Sequence, residues 1–149
     1  MTEKIGFESA AYHNEETQRY SFEGEGTTVL AFFPGAFTGV CTDEMCEFRD
    51  SMEEFKELNT DVIGISVDTP FALKEFAEKH DLDFTLVSDT SKEISSQYEV
   101  KTEMPDLEYE ICTRAVFVVN NGEVVYREVL EDPSNLPDFE KLKDELRSI

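Results

Sequence analysis

A cysteine lies where an apolar segment gives way to an amphipathic one. Residues 32–50 begin with the end of an apolar run, break at Pro34-Gly35 and become amphipathic just after Cys41. The pattern therefore predicts Cys41 at the N-terminus of a helix, where unpaired N–H groups and the positive end of the dipole favour an anion. Thiolate is the nucleophilic form of cysteine. Thr38, three residues earlier, offers a hydroxyl on the same loop. We interpret the stretch as a reactive-thiol site.

The alternative for Cys41 is a small buried side chain without chemistry, as most free cysteines are. Its neighbours favour chemistry. Pro34, Thr38 and Cys41 follow the pattern Pro-x-x-x-Thr-x-x-Cys, which resembles the signature that peroxiredoxins carry around their peroxide-reducing cysteine. The next residues resemble the bacterioferritin-comigratory (peroxiredoxin Q) branch of that family in the pattern Thr42-x-Glu44-x-Cys46-x-Phe48-Arg49-Asp50. The resemblance extends over residues 5–147.

The resemblance implies roles for further residues. In the family the motif threonine and an arginine from a distant strand hold the peroxide and stabilise charge on its leaving oxygen. Thr38 fills the threonine position, and Arg114 matches the arginine because it opens an apolar strand in the same way. Arginine suits this role because it stays charged and donates several N–H groups in a fixed fork. Glu44 matches the glutamate that helps to hold the arginine. For Arg114 an ordinary charge at a strand edge is the alternative.

Cys46 is the expected resolving cysteine, at the spacing where the peroxiredoxin Q branch keeps its own. On a helix it lies about 170° from the centre of the apolar stripe, on the polar side. That stripe consists of Met45, Phe48, Met52 and Phe55. Residues five apart on a helix are beyond the roughly 7 Å that a disulfide allows between Cα atoms. The first turns would therefore unwind in each cycle, which predicts a mobile segment around residues 39–48.

Cys112 leaves the assignment of the resolving cysteine open. It lies two residues before Arg114, so on one continuous strand the two side chains would share a face. Cys112 would then approach the active site and serve as an alternative resolving cysteine. The other interpretation is a buried strand cysteine with no redox role.

The charge of the chain excludes some partners. The formal net charge is −21, from 34 acidic and 13 basic residues, and the acidic residues are spread along the chain between intact apolar segments. This distribution indicates a folded domain with an acidic surface. Nucleic acids and anionic membranes would be repelled. Self-repulsion is screened at high salt, which suggests a salt-adapted protein.

Length and composition predict one domain over residues 1–149 in the cytoplasm. The longest apolar run, 29–33, is far below the roughly 20 residues of a membrane span. The first residues lack the basic and apolar regions of a secretory signal. An odd number of cysteines, three, is unusual for a secreted disulfide scaffold.

Hydrophobic patterns predict alternating strands and helices. Residues 5–26 predict a hairpin lying over the domain, with His13 in a solvated loop, and residues 99–110 are interpreted as a loop. Further strands are predicted at 27–33, 61–67, 82–87, 111–119 and 124–129, the last two joined through Asn121-Gly122. Helices are predicted at 42–58, from Pro70 to His80, from Asp89 to Tyr98 and at 137–147. Alternating units with a terminal hairpin imply an α/β fold, a central mixed sheet with helices on both faces. The resemblance implies the thioredoxin-like version.

The functional expectation is a thiol-dependent peroxidase that reduces hydrogen peroxide or organic hydroperoxides. The resemblance implies recycling by a thioredoxin-like or low-molecular-weight thiol reductant, implies no cofactor or metal, and leaves a homodimer open. One alternative is a redox sensor or relay that passes a disulfide to a partner. Another is a one-cysteine peroxidase resolved by an external thiol. A metal module built on Cys41, Cys46 and a histidine is disfavoured, because His13 and His80 have no ligand spacing to either cysteine.

Overall fold

The structure is a computed structural model that describes residues 5–104, 106–132 and 134–149. Within these residues the strands are β1 (Phe7–His13), β2 (Glu16–Phe22), β3 (Thr27–Phe32), β4 (Thr60–Ser66), β5 (Thr85–Ser88), β6 (Lys101–Met104), β7 (Tyr109–Cys112), β8 (Ala115–Asn120) and β9 (Glu123–Val129). The helices are α1 (Gly39–Asp50), α2 (Met52–Glu57), α3 (Pro70–His80), α4 (Glu93–Gln97) and α5 (Phe139–Arg147).

A seven-stranded mixed sheet forms the centre, in the order β2-β1-β5-β4-β3-β8-β9. The strands β3, β4 and β5 are parallel to one another, whereas β8 pairs with β3 and β1 pairs with β5 in antiparallel fashion. Continuous runs of β-branched and aromatic residues place β3 and β4 in the middle, since both of their faces are covered. The predicted α/β, thioredoxin-like class is confirmed.

The sheet separates two apolar clusters. On the α1 face, Val29 and Ala31 of β3 pack with residues of α1, α2, α3 and α5. On the α4 face, Leu30 and Phe32 of β3 pack with residues of α4 and of the N-terminal hairpin. Alternate residues of one strand enter different clusters because successive side chains point to opposite sides.

The helix predicted at 42–58 is two helices and starts earlier. Its N-cap is Thr38, α1 ends at Asp50, and α2 follows after Ser51. The predicted apolar stripe is confirmed, because all four of its residues are buried: Met45, Phe48, Met52 and Phe55. Ser51 keeps its N–H bonded to Glu47 and Phe48 oxygens, so the interruption loses little hydrogen bonding.

The N-terminal hairpin forms as predicted, but its location was wrong. It extends the central sheet, because β1 pairs through Ala11 and Tyr12 with β5. His13 is the last residue of β1, not a solvated loop residue, and its Nδ1 lies 2.6 Å from Thr85 Oγ1. Interstrand pairing is non-local, and the alternation of the hairpin does not reveal which edge it joins.

The loop predicted at 99–110 contains strands. An antiparallel ribbon of β6 and β7 pairs Lys101 with Cys112 and Met104 with Tyr109. The strand predicted at 111–119 is therefore broken: β7 ends at Cys112 and β8 begins at Ala115. All four residues of β6 and the first two of β7 are exposed, so this ribbon lacks the apolar alternation by which strands are recognised.

Two local predictions are confirmed. Asn121 and Gly122 both have positive φ, 48° and 83°, as a two-residue turn between β8 and β9 requires. The helix predicted from Pro70 to His80 is α3 with the same bounds, and the Thr69 side chain accepts the Ala72 N–H at its start. Among the described helices, none is both long and apolar enough to cross a membrane.

Candidate active site

The junction between β3 and α1 carries Cys41. Strand pairing ends just after Phe32, where the Phe33 N–H donates to the Ile65 oxygen at 2.9 Å. Pro34 then opens a short half-buried loop, which leads to the exposed N-cap Thr38. Cys41 is the third residue of α1 and not the residue before it, so it lies within the first turn, whose N–H groups form the positive end of the helix.

Cys41 is only 1% exposed and is held against Arg114. The Arg114 Nη1 group donates to the Cys41 sulfur at 3.3 Å. Arg114 is itself 2% exposed, so the contact is shielded from water. A guanidinium and a helix N-terminus both favour an anionic sulfur.

Sheet topology explains how a residue 73 positions away reaches Cys41. The strand β8 runs antiparallel to β3, and Ala115 pairs with Phe32. The start of β8 therefore lies beside the end of β3, where the loop to α1 begins. Arg114 immediately precedes β8, and its carbonyl accepts the Leu130 N–H at 2.9 Å, which fixes its backbone.

Glu44 contacts the same Arg114 nitrogen as Cys41 does. Its Oε1 accepts from Arg114 Nη1 at 2.6 Å, and its side chain is fully buried. Burial raises the pKa of Glu44 to about 7, even though the charge of Arg114 and its hydrogen bond act to lower it. Burial by itself would lower the pKa of Arg114, but Glu44 and Cys41 raise it overall. The structure therefore joins Cys41, Arg114 and Glu44.

The Thr38 hydroxyl is engaged within the loop. It donates to the Gly35 oxygen at 2.8 Å, and the Thr38 oxygen accepts both the Thr42 N–H and the Thr42 hydroxyl. Among the described residues, no hydrogen bond joins the Thr38 hydroxyl to Cys41. Thr38 nonetheless lies close to Cys41 along the chain, because it is the N-cap of the helix whose third residue is Cys41.

Asp68, which follows β4, supports the loop, a role that sequence reasoning missed. Asp68 Oδ2 accepts the Ala36 N–H at 2.8 Å and the Ser66 hydroxyl at 2.7 Å. The signal was present: Asp68 follows a buried strand parallel to β3, so the carboxyl ends of the two strands meet at one edge of the sheet.

Phe37 is a second missed residue of this loop. Its φ is 67°, a left-handed conformation that is rare for an aromatic residue. Its half-exposed ring packs edge-on against Phe76, with centroids 5.2 Å apart, and Lys79 Nζ lies 5.9 Å from its centre. Packing against α3 therefore holds the residue before Thr38 in a strained conformation.

Cys46 lies on α1, half-buried, as a free thiol. It is five residues from Cys41 along the helix, and no disulfide links them in the structure. Arg49, one turn later, donates to the His80 oxygen at 2.7 Å and so ties this part of α1 to the end of α3.

The prediction that the side chains of Cys112 and Arg114 share one face of a strand was wrong. Cys112 belongs to the cluster on the α4 face, whereas Cys41 belongs to the α1 face. The physical reason is the break between β7 and β8, which interrupts the alternation. Cys112 is fully buried, its Sγ donates to the Phe33 oxygen at 3.1 Å, and burial raises the pKa of its thiol far above the usual range.

Over residues 5–104, 106–132 and 134–149, no group of three or more histidine, cysteine or acidic side chains is arranged to hold a metal ion. His13 is occupied with Thr85 and Asn14 in the N-terminal hairpin.

Comparisons with known proteins identify the family of this chain. The AhpC/TSA family model matches residues 3–127. Peroxiredoxin Bcp of Escherichia coli strain K12 is 42% identical over 86 residues, 58% of this chain and 54% of that protein. The chloroplastic Peroxiredoxin Q of Sedum lineare is 33% identical over 129 residues, 85% of this chain and 67% of that protein.

Solved structures extend the likeness to the whole fold. The crystal structure of Peroxidoxin BcpB from Mycobacterium tuberculosis has a TM-score of 0.85 and 28% identity, covering 99% of this chain and 95% of that one. The match to the Escherichia coli relative spans about half of that protein's length. The family model nevertheless covers most of the present sequence, and the chain belongs to the AhpC/TSA family, with peroxiredoxins of the Bcp and Q type among its relatives.

Proposed function

We propose that this chain is a thiol-dependent peroxidase that reduces hydrogen peroxide and organic hydroperoxides. The observation that carries the proposal is the buried contact between Arg114 Nη1 and the sulfur of Cys41 in the first turn of α1. This arrangement stabilises a thiolate before substrate arrives, and a thiolate is the form that attacks.

In the proposed first step the Cys41 sulfur attacks one peroxide oxygen. An S–O bond forms, the O–O bond breaks, and the leaving oxygen takes a proton to become water or an alcohol. Cys41 ends as a sulfenic acid, which is reversible. Arg114 stabilises the negative charge that develops on the oxygens, because its donors are already in place before the reaction. The Thr38 hydroxyl is the second proposed hydrogen-bond donor to the peroxide. Pro34 supports the loop, and Glu44 supports Arg114.

In the second step Cys46 resolves the sulfenic acid. Its thiol condenses with Cys41, releasing water and forming a disulfide. An intact helix holds Cα atoms five residues apart too far from each other for this bond. The start of α1 must therefore unwind, breaking bonds such as Thr42 N–H to Thr38 O. A thioredoxin-like or low-molecular-weight thiol reductant then returns two electrons and restores both thiols.

Cys112 is the alternative resolving cysteine, and its position argues against that role. It is fully buried on the α4 face, with its sulfur hydrogen-bonded to a strand-end carbonyl. Reaching Cys41 would need repacking of the core and not merely the opening of one helix turn.

The test is peroxide consumption at molar salt by wild type, Cys41→Ser and Cys46→Ser, each with a thioredoxin-like protein reductant and with a small thiol. We expect Cys41→Ser to be inactive, and Cys46→Ser to turn over only with the small thiol. Full activity of Cys41→Ser would refute the peroxidase. Wild-type behaviour of Cys46→Ser would pass resolution to Cys112 or an external thiol. Rapid single oxidation with slow turnover would favour a redox relay.

The acidic surface underlies a second part of the proposal, a single-domain protein of a salt-rich cytoplasm. The chain carries a net charge of −21, so screening at high ionic strength relieves self-repulsion. We expect the melting temperature to rise from dilute buffer to molar potassium chloride. A stable fold in dilute buffer with loss of structure at molar salt would contradict it.

A further inference from the structure

One guanidinium nitrogen in the site contacts two acids. Arg114 Nη1 lies 2.6 Å from Glu44 Oε1 and 3.3 Å from the Cys41 sulfur. All three side chains are at least 98% buried. Among the described residues, Arg114 is the one cation in an ion pair with Glu44.

Burial restricts how many of these groups are charged together. An uncompensated charge in a protein interior is costly, so a single buried cation favours a single anion beside it. If Cys41 and Glu44 were both ionised, the site would carry an excess negative charge. A Cys41 thiolate beside Arg114 therefore favours a protonated Glu44.

The carboxyl group of Glu44 has the geometry of a proton carrier. Only its Oε1 meets Arg114, and its Oε2 is fully buried with no hydrogen-bond partner among the described residues. A carboxylate that served only to hold arginine would gain from bonding through both oxygens. Leaving one oxygen unpartnered is much less costly when that oxygen carries a proton.

We propose that Glu44 holds the proton released by the Cys41 thiol and gives it up when peroxide consumes the thiolate charge. This inference rests on the peroxidase proposed above and adds a proton store to it. The thiol first transfers its proton to the Glu44 carboxylate. The thiolate then attacks, the S–O bond forms and the O–O bond breaks. The proton from Glu44 ends on the leaving oxygen, which departs as water or an alcohol. Cys41 is oxidised by two electrons, the peroxide is reduced by two, and Glu44 is again a carboxylate.

The surrounding charges are compatible with this role. Besides Arg114, the strand β9 contributes Glu128, whose negative charge disfavours ionisation of Glu44. The pKa of Glu44 near 7 allows it both to hold and to release a proton at neutral pH. On its own helix, Asp43 and Glu47 are exposed to solvent.

The first experiment is infrared difference spectroscopy of the full chain with Cys46→Ser, which stops the reaction at the sulfenic acid. One equivalent of peroxide is added, and the C=O stretch of protonated carboxyls is followed. We expect this band to decrease as the sulfenic acid forms. The decrease should be absent with Glu44→Gln and retained with Glu47→Gln, the exposed control on α1. Sulfenic acid formation without any loss of the band would overturn the proton store. No sulfenic acid at all would instead refute the peroxidase.

The second experiment is the pH profile of the first oxidation in wild type and Glu44→Gln. Glutamine matches the shape of a protonated carboxyl but has no acidic proton to give. At about pH 6 we expect Glu44→Gln to react about 100-fold more slowly, the size of a general-acid contribution. The difference should shrink towards unity at about pH 9, where Glu44 of wild type is ionised. A rate ratio independent of pH would assign Glu44 to positioning Arg114 alone and overturn the proposal.

Discussion

Cys41 and Cys112 are both buried, yet their surroundings are opposite. Cys41 is 1% exposed and Cys112 is 0% exposed, and both lie near the end of β3. The sulfur of Cys41 receives a hydrogen bond from a guanidinium, whereas that of Cys112 gives its own proton to the Phe33 carbonyl. The exposed fraction therefore does not distinguish the two thiols. They differ in the charge of the group that faces the sulfur, which is positive at Cys41 and partially negative at Cys112.

The difference also reflects the backbone that carries each cysteine. Cys41 belongs to the first turn of α1, where N–H groups point towards an anion. Cys112 ends β7, and its sulfur faces the oxygens of Phe33 and, at 3.8 Å, Ile65. Carbonyl oxygens repel a thiolate. One residue type therefore supplies a proposed nucleophile on one face of the sheet and core packing on the other.

The strongest test of this comparison substitutes each of the two cysteines in turn. Cys41→Ser should abolish peroxide reduction, because serine cannot form the nucleophilic thiolate. Cys112→Ala should keep the activity and lose about 1–2 kcal/mol of unfolding free energy from lost packing. Peroxide assays and denaturant unfolding measure the two effects. An inactive but folded Cys112→Ala would place Cys112 in the cycle.

Removing the guanidinium of Arg114 should lower the reactivity of Cys41 towards that of Cys112. Arg114→Ala is expected to slow the first oxidation by about 100–1,000-fold, since it removes a preorganised donor. Alkylation of Cys41 by iodoacetamide should slow as well, while Cys112 stays unreactive in the native state. Stopped-flow oxidation and mass spectrometry of alkylated peptides provide the measurements. Arg19→Ala, an exposed arginine of β2 that pairs with Glu8, is the control. Unchanged alkylation of Cys41 would contradict the role of Arg114.

The buried Glu44 should make stability depend on pH. Its pKa is raised from 4.5 to about 7 in the folded protein. The folded state therefore binds more protons between these values. The resulting stabilisation is complete below about pH 4.5 and is lost as pH rises through about 7. Relative to Glu44→Gln, wild type should lose on the order of 3 kcal/mol over this range. Urea unfolding at several pH values measures it, and a difference that does not change with pH would contradict it.

The support of the loop by Asp68 should have the smallest effect. Asp68→Asn weakens two hydrogen bonds to the carboxylate, from Ala36 N–H and the Ser66 hydroxyl. We expect a loss of about 1–2 kcal/mol in stability and a slower first oxidation. Asp43→Asn, exposed on α1, removes the same charge without these contacts. Equal effects of the two substitutions would show that charge and not loop support is responsible.

Local features could be predicted from the sequence. The apolar run before Pro34, the amphipathic stripe after Cys41, and the Asn121-Gly122 turn each depend on residues that are neighbours in the chain. Steric limits on proline and glycine, and the helical period, act over a few residues. The placement of the thiol in a first helical turn was therefore available at once, although α1 begins three residues earlier than expected.

Non-local features were decided only by the tertiary structure. The face of Cys112 changed because the chain leaves one strand at Cys112 and enters another at Ala115, a break that nothing in the apolar pattern marks. The role of Asp68 depends on the parallel pairing of β4 with β3. The contacts among Cys41, Arg114 and Glu44 depend on β8 running beside β3. The energies of these contacts depend on the burial and the charges of residues that are distant in the chain. Burial and charge contacts of this kind are properties of the folded structure and not of any one segment.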